Sequence, residues 1–370
     1  MKQYRNTWAE INLEAIGYNI QQLKKLLPDK RKIMGVVKAN GYGHGSVQVA
    51  QTALNVGVDF LMVALLEEAV KLRENGIKAP ILVIGRVPPA YAYVAANLGI
   101  TLSVFQIDWL KNIDNDKFEK TLDLHVEFET GMNRTGVCTL NELEEIVEMV
   151  RHMDNVKLTG AYTHFATADE IGSELFEEQC KRYEKMLESL ATLHPGPLMT
   201  HIGNSAAGIQ YPDKMHQYTR FGVAMYGLYP SIPIRGLNSV DLKQAMSLHS
   251  ELIQVKKIIA GECVSYGATF CAEKDTWIGT VPIGYGDGWR RSLQDFHVLL
   301  NGKKMPIVGR ICMDVMMIEL DQPYEVGQKV TLIGENNGAI IEMDDLANHL
   351  DTINYEIPCM LTSRIPRVYV

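Results

Sequence analysis

Between residues 32 and 230, short apolar runs alternate with longer stretches in which charged and apolar residues recur at helical spacing. Eight runs read as strands, beginning near Ile33, Phe60, Ile81, Thr101, Leu122, Leu158, Leu198 and Val223. The stretches between them include predicted helices over 46–55, 67–75, 140–153 and 174–193. Eight repeats of strand then helix favour an α/β fold with a closed (β/α)8 TIM-like barrel over an open doubly wound sheet. After Pro230-Ser231-Ile232-Pro233 the pattern changes. Apolar runs at 248–259, 276–283, 298–300, 315–320 and 330–333 follow one another without long helices, with one short helix over 343–350. The division this predicts is a barrel over 1–234 and a mainly β C-terminal domain over 235–370. Thr7 to Leu13 alternates as a strand, and residues 1–12 are expected to pair with the β domain.

Composition changes this picture little. At 370 residues with 46% hydrophobic content, the chain is long enough for two domains with sizeable cores. A net charge of −8 leaves no basic patch for a nucleic-acid partner. No apolar run approaches the roughly 18 residues of a membrane span, and the start of the chain is polar, so the chain reads as soluble and cytoplasmic, with no membrane segment of its own. As one domain of a longer membrane protein it would read the same way. Cys138, Cys180, Cys263, Cys271, Cys312 and Cys359 form no Cys-x-x-Cys pair. They are expected to be free thiols, mainly buried, and no metal site is indicated. His44 and His201 read as structural histidines.

Candidate chemistry begins at Val36-Val37-Lys38-Ala39-Asn40-Gly41-Tyr42-Gly43-His44-Gly45, where an apolar run ends in a lysine followed by three glycines. A lysine closing a buried strand, with flexible backbone after it, suits a Schiff base to an aldehyde, although a strand-terminal lysine also commonly snorkels to water. In a barrel, reactive side chains belong at the carboxyl ends of strands. Glu127 and Arg134 follow the fifth predicted strand and His164 the sixth; Asn204 and Ser205 follow the seventh, and Arg220 precedes or opens the eighth. Gly203-Asn204-Ser205 before a helical stretch is a phosphate seat or an ordinary helix cap. A lysine for an aldehyde together with a seat for a phosphate matches pyridoxal 5′-phosphate, PLP.

With these motifs in place, the chain resembles the alanine racemase family over nearly its whole length. Residues 37–45 resemble the cofactor-lysine signature, and Thr130-Gly131-Met132-Asn133-Arg134-Thr135-Gly136, His164-Phe165-Ala166 and His201-Ile202-Gly203-Asn204-Ser205 follow in the family's order. Ser265-Tyr266-Gly267-Ala268-Thr269-Phe270, Ile283-Gly284-Tyr285-Gly286-Asp287-Gly288 and Gly309-Arg310-Ile311-Cys312-Met313-Asp314 resemble its later signatures. The resemblance implies a homodimer with shared active sites, in which Lys38 holds PLP and acts as base on one face of the substrate α-carbon. Tyr266 from the partner chain acts on the other. It also implies Tyr42, Asn204, Ser205, Gly222, Val223 and Tyr355 around the phosphate and Arg220 at the ring nitrogen. Arg134 is implied at the phenolic oxygen, Met313 at the substrate carboxylate, and His164 and Arg220 as the groups that tune Tyr266.

The chain departs from the family at two places. Many relatives carry a carbamylated lysine where this chain has Glu127, so the carboxylate that orients the active-site arginine is expected to be built in. Otherwise Glu127 is the polar side of an alternating strand. Phe221 stands where many relatives have proline, which predicts a less rigid loop. The expected reaction is racemisation of a small amino acid, supplying a D-isomer for peptidoglycan precursors. Alanine and serine stay open: Asn354 is a candidate partner for a serine hydroxyl, and the family includes membrane-bound serine racemases of vancomycin resistance. The competing classes are a PLP-dependent decarboxylase of the same architecture and a noncatalytic PLP-binding protein.

Overall fold

The computed structural model describes residues 4–370, so the first three residues of the 1–234 division lie outside the described residues. The chain packs as two units. One comprises the N-terminal residues to Glu14, Tyr42–His44 and Gln244–Val370; the other comprises Ala15–Gly41 and Gly45–Lys243.

The second unit is a closed barrel of eight parallel strands. After β1 (Thr7–Ile11), which belongs to the first unit, these are β2 (Lys32–Val36), β3 (Phe60–Val63), β4 (Ile81–Val83), β5 (Thr101–Val104), β6 (Leu122–Glu127), β7 (Val156–Tyr162), β8 (Met199–Gly203) and β9 (Tyr218–Phe221), with β9 pairing back onto β2. Runs such as Phe60–Val63 and Ile81–Val83 are buried throughout, because one face fills the barrel and the other meets the surrounding helices. Helices Ser46–Asn55, Leu66–Glu74, Leu140–Arg151 and Glu174–Leu193 occupy the predicted stretches.

The eighth strand lies earlier than expected, at Tyr218–Phe221, and Val223–Tyr226 is a 3-10 turn. Thr219 and Arg220 masked it, because a buried strand with two polar residues does not look apolar. Phe221 is therefore no loop residue. It pairs with Gly35 and is fully buried, so the expected loosening at this position is wrong.

In the first unit, β10 (Met246–Glu251) and β11 (Gln254–Ile258) divide the single run expected at 248–259. The remaining strands are β12 (Cys263–Val264), β13 (Phe270–Cys271), β14 (Thr276–Val281), β15 (His297–Leu300), β16 (Lys303–Pro306), β17 (Met316–Leu320), β18 (Lys329–Asn336), β19 (Ala339–Ile341) and β20 (Arg367–Tyr369). One sheet runs β16-β15-β18-β10-β1-β20, a second runs β11-β14-β17, and β12 and β13 form a separate ribbon. β1 thus sits between β10, antiparallel to it, and β20, parallel to it. Just before β1, Arg5 makes a bidentate pair with the fully buried Asp287, at 2.5 and 2.6 Å, and Asp287 also accepts from the Gly284 N–H.

The expectation of six free, mainly buried thiols is wrong. Cys263 and Cys271 face each other across the β12–β13 ribbon and form a disulfide. Of the four free cysteines, Cys138 and Cys359 are exposed and Cys180 and Cys312 are half-buried.

Candidate active site

Because the barrel strands are parallel, their carboxyl ends share one end of the barrel, and the predicted residues of this unit lie on or just beyond those ends. Arg220, in β9, is buried inside the barrel and is the hub of a polar chain. Its guanidinium donates to the carbonyls of His201 (2.6 Å), Thr163 (2.7 Å) and Ile202 (3.2 Å). It also donates to His201 Nδ1 (3.1 Å) and to His164 Nδ1 (3.0 Å). His201 Nε2 in turn lies 2.9 Å from His125 Nδ1, and the His201 ring stacks on Tyr162 at 4.7 Å. Gly160 makes room for this arrangement, since a Cβ there would lie 2.6 Å from the His125 ring.

Burial lowers the Arg220 pKa to about 10, opposed by Tyr162 and Glu127, so the guanidinium keeps its charge at neutral pH. All three imidazoles are neutral. Burial brings His125 to about 3. His164 and His201 are held well below the usual histidine range by burial and then by Arg220. His201 thus has the structural part expected of it and also shapes the site, by orienting Arg220.

Lys38 was expected to close its strand; β2 ends two residues earlier, at Val36, and Lys38 opens a turn in which Ala39, Asn40 and Gly41 are all left-handed. Its ammonium contributes to the depression of His164, which puts lysine and histidine within electrostatic reach of each other. Sequence reasoning missed Glu68, which anchors this turn: its carboxylate accepts from the Ala39 N–H (2.5 Å) and from the Ala64 (2.9 Å) and Leu65 (3.1 Å) N–H groups after β3. The available signal was its position three residues past the N-cap, Leu65, where Glu closes a capping box. His125 was also missed as part of the site, because it reads as the polar side of an alternating strand.

Glu127 ends β6 and is 4% exposed, which removes the reading of it as a solvated strand residue. Its Oε2 meets no hydrogen-bond donor among the described residues. Burial raises its pKa, opposed by Thr135, Arg134, Tyr162 and Arg220, so the cations act on it through space. Arg134 lies beyond it in an exposed loop, pinned through its backbone N–H to Glu129 at 3.2 Å.

Asn204 and Ser205 open the helix Ser205–Gln210 after β8. Asn204 caps it by accepting from the Ala207 N–H at 2.9 Å, while the Ser205 hydroxyl accepts from the Gly222 (3.0 Å) and Ala224 (3.4 Å) N–H groups. The cap is therefore real, and Ser205 joins the ends of β8 and β9 so that Asn204, Ser205, Gly222 and Val223 share one corner.

The other predicted residues belong to the first unit. The rings of Tyr42 and Tyr355 are 6.5 Å apart, and burial pushes the Tyr42 hydroxyl pKa up, with Tyr355 and Cys359 adding to the effect. Gly43 has φ of 81° and a Cβ there would lie 2.1 Å from the Pro358 carbonyl oxygen, so only glycine fits. Asn354 donates to Asp344 at 2.8 Å. Tyr266 stands 71% exposed on the turn between β12 and β13 and borders an open pocket of about 380 Å³ with Tyr285, Arg291 and Ile311. Ser265 ties this turn to the loop that carries the exposed Met313, donating to the Arg310 carbonyl at 2.6 Å and lying 3.5 Å from Cys312 Sγ. Among the described residues no cluster of His, Cys, Asp and Glu is arranged to hold a metal, and no helix is long and apolar enough to cross a membrane.

Comparison with known proteins gives concordant results. The family model described as alanine racemase, N-terminal domain, matches residues 11–230, and that of the alanine racemase C-terminal domain matches 245–369. An alanine racemase of Geobacillus stearothermophilus is 51% identical over 369 residues, covering 99% of this chain and 94% of the relative. The crystal structure of an alanine racemase from Bacillus anthracis with bound L-Ala-P has a TM-score of 0.96 at 40% identity, covering 100% of this chain and 96% of that one. A histidine racemase from Leuconostoc mesenteroides superposes with a TM-score of 0.90 at 30% identity, covering 100% and 99% of the two chains.

Proposed function

The chain belongs to the alanine racemase family of PLP-dependent amino-acid racemases, and from that premise we propose that it interconverts L- and D-alanine by proton exchange at the α-carbon, with Lys38 and Tyr266 as the two acid–base groups. The observation that carries this reading is Arg220: a buried, charged guanidinium at the carboxyl end of the barrel, held in place by three carbonyls and two imidazoles.

The donor set suits PLP. Lys38 supplies an amine, the corner formed by Asn204, Ser205, Gly222 and Val223 supplies hydroxyl and amide donors, with the Ser205 oxygen held by the Gly222 and Ala224 N–H groups, and Arg220 supplies a cation. Bound there, PLP provides an electron sink that acidifies the α-C–H bond of an attached amino acid. Arg220 donates hydrogen bonds and never accepts a proton, so toward a ring nitrogen it offers a hydrogen bond while leaving that nitrogen unprotonated. This moderates the sink and disfavours protonation of the cofactor in place of the substrate. Arg134 would hold the phenolic oxygen, Met313 would contact the substrate carboxylate, and Tyr42 and Tyr355 would contribute phosphate contacts.

Racemisation needs a proton donor on one face of the α-carbon and an acceptor on the other, which a single base does not supply without turning the substrate over. Tyrosine ordinarily titrates near 10, so Tyr266 requires help as a base at neutral pH. His164, neutral and fixed to Arg220, would orient that hydroxyl. The exposed Tyr266 and Met313, on neighbouring loops, are what a subunit contributing residues to a partner's site would present, which supports a homodimer with shared sites. The D-isomer would serve peptidoglycan precursor synthesis. Alanine is favoured over serine because the amide of Asn354, the candidate partner for a serine hydroxyl, donates to Asp344.

Chiral analysis after incubation with L-alanine, L-serine and PLP tests the reading. D-alanine should accumulate to near equality with the L-form, D-serine far more slowly, and no CO2 should be released. CO2 release would favour the decarboxylase. Lys38→Ala should lose both turnover and the yellow holoenzyme absorbance. Tyr266→Phe should keep the absorbance and lose about 100-fold or more in kcat, within the usual range for a general acid–base group. A fully active Tyr266→Phe would refute the two-base assignment.

A further inference from the structure

The turn that presents Tyr266 is held by few ties: the Ala268 N–H donates to the Ser265 carbonyl at 3.2 Å, and the Arg310 guanidinium lies beside Gly267. It is carried by β12 and β13, which have two residues each, and so short a ribbon does not stabilise its own turn. Ser265 (φ 64°), Gly267 (φ 74°) and Ala268 (φ 46°) all lie in the left-handed region, which residues bearing a Cβ adopt reluctantly. At its base, Val264 is buried with Ile258, Ala272, Ile278 and Val308, with Phe270 packed against them, and Ser265 is tied to Arg310. Above that base, residues 266–269 are exposed. The one covalent closure is the Cys263–Cys271 bond, which joins directly opposed residues of the two strands immediately below the turn. Both cysteines are exposed in the single chain.

We propose that Cys263 and Cys271 are positioning residues for Tyr266: their disulfide keeps the turn closed, and a thiol or dithiol reductant that opens it slows proton exchange on the Tyr266 face while leaving the cofactor bound. This rests on the reading of Tyr266 as one of the two acid–base groups. In the opening step a reductant thiolate attacks one sulfur and expels the other as a thiolate. A second reductant thiolate then resolves the mixed disulfide, so the ribbon gains two electrons and two protons and the reductant leaves as its own disulfide. The effect is confined to the loop that carries Tyr266, so the barrel strands and the cofactor lysine of the same chain are untouched by it.

The test compares the holoenzyme as purified, after dithiothreitol, and after reoxidation, alongside the C263S/C271S holoenzyme. Reduction should raise the free-thiol count from four to six, the four free cysteines plus the two released from the disulfide. Alanine racemisation should fall roughly threefold or more in kcat with KM little changed and the holoenzyme absorbance intact, and reoxidation should restore it. The double variant should match the reduced enzyme and ignore dithiothreitol, which separates this pair from Cys312 beside Ser265. Exchange of the α-proton for solvent deuterium should persist with one enantiomer, because Lys38 still works on its face. Equal kcat in the oxidised, reduced and variant enzymes overturns the proposal, as does a count of six thiols before reduction or loss of cofactor absorbance on reduction. If the oxidised holoenzyme racemises nothing, the proposed function itself fails. If it racemises and Tyr266→Phe is harmless, the two-base assignment fails and the disulfide has no base to position.

Discussion

Glu127 illustrates how one residue can serve the site at the expense of the fold. A buried carboxylate oxygen without a donor is costly, on the order of 1–3 kcal/mol, and burial raises the group's pKa. With the native pKa above the unfolded one, the native state binds the extra proton, so this residue's contribution to stability declines as pH rises from about 4.3 through the native pKa. Glu127→Gln should therefore raise Tm at pH 7, and it should lower kcat if the charge orients Arg134 as the sequence leads one to expect. Calorimetry and chiral turnover assays measure the two effects separately, and unchanged turnover with an unchanged cofactor spectrum would show that the charge serves no purpose in the site. The residue type was legible in the sequence; its burial was not, since a barrel interior and a solvent-facing side give the same alternation.

At the scale of elements, the barrel was readable because buried parallel strands are apolar on both faces, and the pattern breaks where function intrudes. Arg220 and Thr219 hid β9, and the polar side chains of His125 and His201 concealed a common environment that only strand pairing reveals. The ribbon β12–β13 was invisible because two-residue strands have no periodicity, and with it went the disulfide. The unbroken run through Leu252 and Ile253 likewise hid a change of sheet. The histidine chain has a consequence for acid stability. His125, His164 and His201 remain neutral in the native barrel, whereas unfolded histidine titrates near 6.5. Below that pH the unfolded chain takes up three protons that the native chain refuses, so stability falls with decreasing pH at up to roughly 4 kcal/mol per unit. His125→Gln, which still accepts from His201, should flatten this slope by about one proton in three; denaturant titrations between pH 7.5 and 5 measure it, and an unchanged slope would contradict it.

At the scale of the whole molecule, the chain passes between its two units four times, at Glu14, Gly41, His44 and Lys243. The sequence pattern showed one passage, near residue 235, because texture changes along the chain and not across it. The first unit consequently depends on residues far from its main segment: β1 lies inside its sheet, and Arg5 neutralises Asp287. Arg5→Met leaves that carboxylate buried with Arg364, at 3.3 Å, and the Gly284 N–H for compensation, and should cost about 3 kcal/mol in global unfolding. A loss under about 0.5 kcal/mol would mean that Arg364 suffices, as expected only for a surface pair. Finally, the Arg220 chain is broken as a proton path by the guanidinium between His201 and His164. Proton hopping requires each link to accept before it gives, and a guanidinium in the middle never accepts. The line from His125 to His164 is therefore an insulator, so a proton taken up at one wall of the site cannot leak through the barrel core, and must travel by way of the substrate or the solvent.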